Sequence, residues 1–260
     1  VYNNIRSLII GKMYSSADLA YYNQGKQFPH TIVNNINSSI DSVLLPSMSS
    51  AQDDSTRVKA MTRRSIKTST YIMAPMMMGL AFCAKPIVQL VLTDKWLPCV
   101  PFLRIFCITY MFYPIHTANL NAIKAMGRSD YFLKLEIAKK VVGMTLLIST
   151  MWFGVMAMAY SLLLGTLFGM IINSWPNKKL LNYSYFEQMK DILPGIAIAF
   201  VMGCCVKVVE LLHASAAVTL MIQIPLGASI YIGASAVFHL ESFEYLMEIV
   251  KSVLKKKERN

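Results

Sequence analysis

VMAMAYSLLLGTLFGMIINSW, residues 155–175, contains no charged side chain. A helix that crosses a membrane needs about 20 mostly apolar residues, and this stretch is long enough. Six further candidate spans surround it, and an apolar stump occupies 1–11. The six are 28–46, 67–84, 99–123, 133–153, 190–212 and 215–239. The sequence therefore predicts an all-α fold, a polytopic bundle of transmembrane helices.

The composition argues against a soluble domain and against disorder. Hydrophobic residues make up 55% of the 260 residues and charged residues only 15%, and the mean hydropathy is +0.46. Soluble domains carry about 25% charged residues, and disordered chains are polar. The chain has five cysteines without a CxxC pair, and no motif of a hydrolase, a metalloprotease or a nucleotide-binding protein. We therefore expect no catalytic residue, no metal site and no cofactor.

Lysine and arginine are concentrated in every second connection. The net charge is +11, and 18 of the 25 Lys and Arg lie in 51–67, 124–140, 176–190 and the tail after 250. The alternate connections hold only Lys12, Lys26, Lys85 and Lys95. Because cytoplasmic loops are rich in Lys and Arg, the four basic segments are predicted to be cytoplasmic. Short clusters of this kind do not form the continuous basic face of a nucleic-acid-binding protein.

Polar residues in 28–46 fall on one face of the predicted helix. Asn34, Asn37, Ser38 and Asp41 follow the spacing i, i+3, i+4 and i+7. An aspartate at the centre of a span costs about 2.5–3.5 kcal/mol on insertion scales. We expect this stripe to face the bundle interior. It would either line a water-filled cavity or donate hydrogen bonds to a neighbouring helix.

The stretch 99–123 combines polar residues with a proline. Pro114 removes one backbone hydrogen bond and is expected to bend the helix. Arg104 either binds an anionic ligand or extends to the headgroups from the outer end of the span. His116 either lines a cavity or is a hydrogen-bonded core residue. Arg6, in the stump, is either an intramembrane cation or an anchor.

Two local patterns indicate structure rather than chemistry. Glu136 and Lys140 are four residues apart and are expected to pair on one helix face. Gly165 and Gly169 form a GxxxG motif, which permits close packing of helices. The basic tail is expected either to touch anionic lipid or to fray without a role.

Four stretches resemble the Wzx-type polysaccharide flippases of the multidrug/oligosaccharidyl-lipid/polysaccharide exporter superfamily. They are LAYYNQGKQFP at 19–29, VLLPS at 43–47, DKWLP at 94–98 and NAIKAMGRSDYFLKLE at 121–136. The last is the most specific. Within the superfamily, the likeness is to the exporters of lipopolysaccharide, colanic acid and teichuronic acid. It covers residue 1 to about residue 190, and beyond that point only the hydropathy agrees.

The resemblance implies a C-terminal lobe of a MATE-like flippase fold plus two trailing helices. The end of a truncated helix would lie at 1–11, family helices eight to ten at 12–123 and eleven to twelve at 124–175. The trailing helices would occupy 176–240 and a basic cytoplasmic tail 241–260. The partner of this half would be the missing N-terminal lobe of the same protein. Its location would be the bacterial inner membrane, among membrane lipids.

The resemblance also implies a function and a set of site residues. The substrate would be an undecaprenyl-diphosphate-linked oligosaccharide, moved to the outer leaflet for surface polysaccharide or lipopolysaccharide biosynthesis. Arginines would pair with the diphosphate, amides and hydroxyls would bind the sugars, and one carboxylate is a candidate for ion coupling. The candidate substrate-binding residues are Arg6, Asn34, Asn37, Asp41, Arg104, Tyr113, His116 and Asn119.

Two rival functions stay open at this point. One is a cation-coupled multidrug antiporter of the same fold, whose cavity should be acidic and aromatic. The other is a membrane enzyme, a polymerase or ligase of the lipid-linked glycan. Such an enzyme would need a large outer loop with reactive groups, whereas the longest predicted outer connection is 11–27.

Overall fold

Helices form almost all of the described chain, as predicted. A computed structural model describes residues 4–212 and 214–257, and no strand occurs within them. Two short 3-10 segments, Asp94–Cys99 and Val209–Leu212, accompany eleven α-helices. The helices are α1 (Ile5–Met13), α2 (Ser16–Ser49), α3 (Ser55–Phe82), α4 (Ala84–Leu92), α5 (Val100–Met111), α6 (Tyr113–Ala125), α7 (Ser129–Thr150), α8 (Val155–Leu180), α9 (Tyr185–Val208), α10 (Ala216–Val237) and α11 (Glu241–Lys257).

Each of the seven predicted spans falls on one or more of these helices. Four helical segments are long and apolar enough to cross a membrane: Asp94–Ala125, Val155–Leu180, Tyr185–Leu212 and Ala216–Val237. A fifth results if α3 and α4, which are bent by 71° at their junction, count as one span. The predicted spans in α2 and α7 contain too many polar or charged residues to qualify by composition. The total of seven membrane spans therefore stays a prediction.

Three predicted connections are helical, which corrects the sequence analysis. The first part of α2 extends into the predicted loop 11–27, and a capping box between Ser15 and Asp18 fixes its start. The basic segment 51–67 forms the first turns of α3, which Asp54 caps. The tail forms α11. Lysine, arginine and glutamate are good helix formers, so charge can end a membrane span without ending the helix.

The breaks between helices coincide with proline and glycine residues, including the bend that was predicted at Pro114. α5 ends at Met111, and α6 begins at Tyr113 with Pro114 in its first turn. α4 carries Pro86 directly after the bend that separates it from α3. Gly154, at φ 101°, ends the short turn before α8. A residue with a side chain adopts that conformation only with strain, so a glycine is required there.

α2 crosses α5 at very close range. A methyl group added at Gly25 would lie 2.7 Å from Cβ of Phe102 and 2.8 Å from the backbone nitrogen of Leu103. The buried face of α2 runs through Tyr22, Gly25, Pro29 and Val33 onto this contact. The central core continues from there through α3, α5 and α8.

The basic segments converge at one end of the bundle. A second apolar cluster there joins Met48 and Val58 to Ala122 and Tyr183. The Lys59 ammonium donates to the backbone oxygen of Asn182. At the opposite end, the Tyr14 hydroxyl donates to the Met151 oxygen at 2.6 Å. These contacts bring the connections near 51–67 and 176–190 together and place Tyr14 beside the turn after α7, whereas the alternation of all connections across a membrane stays a prediction.

Candidate functional site

A cavity of about 460 Å³ lies between α1, α2, α5, α6, α7 and α8. Its polar lining residues come from every one of these helices. They are Arg6 and Ser7 of α1, Tyr22, Lys26 and His30 of α2, Tyr110 of α5, Tyr113, His116 and Thr117 of α6, Lys139 of α7 and Thr166 of α8. None of the described lining residues is Asp or Glu. The polar part of the lining therefore consists of cations, ring systems and hydroxyls, and aliphatic residues such as Ile5, Leu120 and Leu147 complete the wall.

The three cations of the cavity differ in how they are held. One guanidinium nitrogen of Arg6 donates to the Met158 oxygen at 2.7 Å and to the Ser161 hydroxyl at 2.6 Å. The ammonium of Lys139 donates to the Glu136 carboxylate at 2.6 Å. Among the described residues, no carboxylate forms an ion pair with half-buried Lys26. Arg6 and Lys139 are thus fixed in place, and Lys26 supplies an uncompensated positive charge.

Aromatic rings form one wall of the cavity. The rings of Tyr110 and Tyr113 meet edge to face at 4.7 Å between centroids, and His116 follows at 5.9 Å from Tyr113. His30, across from them on α2, lies 5.8 Å from Tyr110. Nδ1 of His116 accepts a hydrogen bond at 2.9 Å from the Asn173 amide, with the tautomer assigned accordingly. The wall offers rigid apolar faces with polar edges, which suit a sugar or another polar ring.

The GxxxG motif of α8 makes room for this wall. Gly165 and Gly169 both line the cavity. A methyl group at Gly169 would lie 3.2 Å from Cε1 of His116 and 3.7 Å from Cδ of Lys139. The motif was expected to permit close helix packing, and here it also lets two polar side chains approach α8.

The structure brings together three of the eight predicted site residues. Arg6, Tyr113 and His116 line the cavity. The other five do not line it, and they divide into three groups: Asn119 in a buried network, Arg104 at a helix end, and Asn34, Asn37 and Asp41 on α2. Each group lies outside the cavity for a different physical reason.

Asn119 belongs to a hydrogen-bonded contact between helices. Its amide donates to Oε1 of Gln188 at 2.8 Å, and the Gln188 amide returns a bond at 3.1 Å. Asn177 donates to Oδ1 of Asn119 at 2.6 Å, and the Ser174 hydroxyl donates to Gln188 at 2.9 Å. All four side chains are fully buried. Asn119 does not line this cavity, because its polar atoms already join α6, α8 and α9, and its predicted contact with substrate stays a prediction.

Arg104, on α5, contacts the C-terminal end of α3 and does not line the cavity. Its Nε donates to the backbone oxygen of Ala81 at 3.2 Å. The last carbonyls of a helix lack intrahelical donors and carry a partial negative charge, so a guanidinium is favourable there. Arg104 therefore does not line this cavity, and its predicted role in binding the substrate diphosphate stays a prediction.

The polar stripe of α2 faces away from the bundle that this chain forms. Asn34, Ser38 and Asp41 are exposed, and Asn37 is half-buried. The buried face of α2 runs through Val33 rather than through this stripe, so the predicted inward orientation is wrong within this chain. One contact does turn inward, because the buried Asn121 amide donates to the Asp41 carboxylate at 2.6 Å.

Sequence analysis missed Lys26, His30, Tyr110 and Lys139 as cavity residues. It had assigned Lys26 to a connection and had counted Lys139 only as a marker of topology. It had also paired Glu136 with Lys140, whereas the structure pairs Glu136 with Lys139, three residues on. Spacings of three and of four residues both place side chains on one helix face, so the sequence alone does not decide whether Glu136 pairs with Lys139 or with Lys140.

Comparison with known proteins agrees with the fold and the sequence resemblance. Residues 1–101 match the family described as polysaccharide biosynthesis protein. An uncharacterized membrane protein in the cps region of Klebsiella pneumoniae is 25% identical over 200 residues, which cover 76% of this chain and 39% of that protein. The lipopolysaccharide biosynthesis protein WzxC of Escherichia coli K12 is 22% identical over 216 residues, covering 78% of this chain and 43% of WzxC.

One solved structure shares the fold. The lipid II flippase MurJ, in an inward closed conformation, superposes with a TM-score of 0.74 at 18% identity, over 92% of this chain and 51% of MurJ. The chain thus spans about half the length, or less, of the proteins that it matches. The family match over residues 1–101, the two relatives and the shared fold together support a multi-pass helical membrane protein that is similar to the Wzx-type polysaccharide exporters.

Proposed function

We propose that the chain forms one lobe of a flippase for undecaprenyl-diphosphate-linked oligosaccharide, and that its cationic cavity holds the diphosphate. The protein would act in the bacterial inner membrane during surface polysaccharide or lipopolysaccharide biosynthesis, with its C-terminus in the cytoplasm. The C-terminal orientation rests on the concentration of Lys and Arg at one end of the bundle.

The charge of the cavity carries this proposal. Arg6, Lys26 and Lys139 line one cavity among apolar helices; among the described residues Glu136 pairs with Lys139, and no carboxylate pairs with Lys26. Positive charge in a span is costly unless it meets a counter-charge. A diphosphate supplies that counter-charge, and charge-assisted hydrogen bonds to phosphate are stronger than neutral ones. The uncompensated Lys26 is the residue that we expect to respond most to the ligand.

The remaining lining suits the sugar portion of the substrate. Sugar hydroxyls can exchange hydrogen bonds with the hydroxyl groups of Tyr110, Tyr113 and Thr117. The imidazole groups of His30 and His116 can do the same. The exposed polar stripe of α2, with Asn34, Asn37 and Asp41, would extend this surface toward a second lobe. The roles of these residues, including an ion-coupling role of Asp41, remain proposals.

Transport would need a second lobe. The relatives are about twice as long as this chain or longer. A cavity that opens alternately to the two sides of a membrane requires two bodies that rock about a shared site. We therefore propose the N-terminal lobe of the same protein as the partner of this chain.

Two observations favour a transporter of anionic lipid over the rival functions. A multidrug antiporter that takes cations would need acidic lining residues, and none of the described lining residues is acidic. An enzyme would need a lobe or loop to hold reactive groups. Two connections between the described α-helices contain a 3-10 segment. The longest of the others is 50–54, with five residues.

A complementation experiment tests the proposal. In a flippase-deficient strain, this chain together with the N-terminal half should restore surface polysaccharide, and the chain alone should not. Lys26→Gln should reduce export at least tenfold at an unchanged amount of membrane protein, since one charge-assisted bond is worth about 1.5–3 kcal/mol. Lys85→Gln, which removes an exposed charge on α4, is the matched control. Full export by the Lys26 variant, or by the chain alone, would contradict the proposal.

A further inference from the structure

The C-terminal helix α11 is amphipathic and starts directly after a membrane-spanning segment. Only three residues, 238–240, separate it from the end of α10. The turn between them is tight, with His239 at φ 47° and Leu240 N–H bonded to the Ser235 oxygen at 3.1 Å. Because α10 is long and apolar enough to cross a membrane, α11 must begin close to the membrane surface.

The first half of α11 is held against the bundle by its acidic and aromatic side chains. Lys67 of α3 forms an ion pair with Glu241. The guanidinium of Arg64, also on α3, lies over the Tyr245 ring at 4.7 Å from its centroid. Phe243 and Leu246 pack against the central core. The carboxylate of Glu241, which an anionic surface would repel, is thereby compensated by the protein itself.

Among the described side chains at 247–252, Met247, Ile249, Val250 and Lys251 have no such support, and the exposed Glu248 lies about 200° around the helix from Val250. Met247 is 40% exposed and Val250 49% exposed, three residues apart on the face that continues from Leu246. Ile249 beside them is 40% exposed. Lys251 is exposed next to Met247 and Val250, and the sequence places three more lysines at 255–257. An apolar face flanked by lysines is typical of helices that bind in the plane of a membrane interface.

We infer that the second half of α11 binds the anionic headgroup region of the leaflet beneath α10, with Met247 and Val250 in the lipid and Lys251 at the phosphates. The partner is the lipid surface of the membrane that the chain itself crosses. Charge complementarity selects anionic over neutral lipid, because each Lys near an anionic leaflet contributes about 1 kcal/mol. The helix would then anchor the end of α10 and the basic end of α3 to one leaflet.

A fluorescence experiment on the whole chain tests this inference. Cys204 and Cys205, which are exposed, are replaced by alanine, and an environment-sensitive NBD label is attached at Val250→Cys. The control label is at Ser252→Cys, about 200° around the helix from residue 250. The protein is reconstituted in phosphatidylcholine vesicles with or without phosphatidylglycerol, and brominated lipids serve as quenchers.

The inference predicts a blue-shifted emission at position 250, quenched by brominated lipid, only when phosphatidylglycerol is present. High salt should reverse the shift, because exposed charges are screened. Lys251→Gln should lower the bound-to-free ratio of the helix about fivefold, and the label at 252 should change little. Emission typical of water at position 250 in both lipids would overturn the inference. So would a blue shift that brominated lipid does not quench, since that would place residue 250 against protein.

Discussion

Replacing Asn119 by alanine separates a structural role from a substrate-binding role. Asn119 is fully buried, and three hydrogen bonds connect its side chain to other helices. It does not line the cavity. The structure therefore predicts that Asn119→Ala weakens the bundle and leaves diphosphate binding by the folded protein unchanged.

The size of the effect follows from the hydrogen bonds and their remaining partners. Interhelical hydrogen bonds in membrane proteins average about 0.6 kcal/mol each, so three of them are worth about 2 kcal/mol. Gln188 keeps the Ser174 hydroxyl, and Asn177 keeps the Asn119 backbone oxygen at 3.3 Å, so neither loses every partner. Alanine regains up to about 0.7 kcal/mol of helix propensity. The expected net loss of unfolding free energy is about 1 to 2 kcal/mol.

The assay is denaturant unfolding in mixed micelles, with lipid-diphosphate binding measured on the same preparations. Asn35→Ala, at an exposed position of α2, is the control and should change the unfolding free energy by less than about 0.5 kcal/mol. The double variant with Gln188→Ala should be less destabilised than the sum of the single variants, because the two amides share their bonds. Normal stability together with lost binding would refute the structural role.

Three other predictions concern the helix contacts and the topology. Gly25→Ala should lower the unfolding free energy by about 1–3 kcal/mol, because the added methyl forces α2 away from Phe102. The control Gly233→Ala has open space at the added methyl and should not destabilise the protein. Unfolding in micelles compares the two variants, and equal stability would contradict the close crossing. Asp191→Asn removes the two-bond ion pair with Arg63. Because Arg63 is 53% exposed, the loss of unfolding free energy should be about 1 kcal/mol, and it should be smaller in high salt. A loss that does not depend on salt would argue against an ion pair. Reporter fusions in the loop between α2 and α3 and after α11 should both be cytoplasmic, and a fusion between α7 and α8 should be periplasmic; any other pattern would contradict the topology.

The fold was largely predictable because the membrane imposes a simple rule on composition. An uncharged run such as 155–175 has few alternatives to a spanning helix, and α8 covers all of it. The break at Pro114 was predictable because the backbone limits of proline are local. The lengths of α2 and α3 were not predictable in this way, since polar residues extend a helix beyond the membrane as readily as they end it.

The candidate site was less predictable because a polar residue in a span has two possible partners. Asn119 and His116 lie three residues apart on α6, and from the sequence both could bind a ligand or a neighbouring helix. In the structure α8 and α9 surround Asn119, whereas His116 contacts Asn173 and also borders the cavity. Lys26 and Lys139 were overlooked for a related reason. A lysine near the end of a span marks topology by sequence alone, and only the neighbouring helices reveal that it faces a cavity.

Binding of a short prenyl diphosphate to the purified chain tests the central claim most directly. Farnesyl diphosphate and farnesol share an apolar tail and differ in the diphosphate, so their difference in affinity isolates the cationic cavity. The account predicts at least tenfold tighter binding of the diphosphate, and loss of most of that preference in Lys26→Gln but not in Lys85→Gln. Equal affinity for the two ligands, or an unchanged preference in the Lys26 variant, would contradict the assignment of the diphosphate to this cavity.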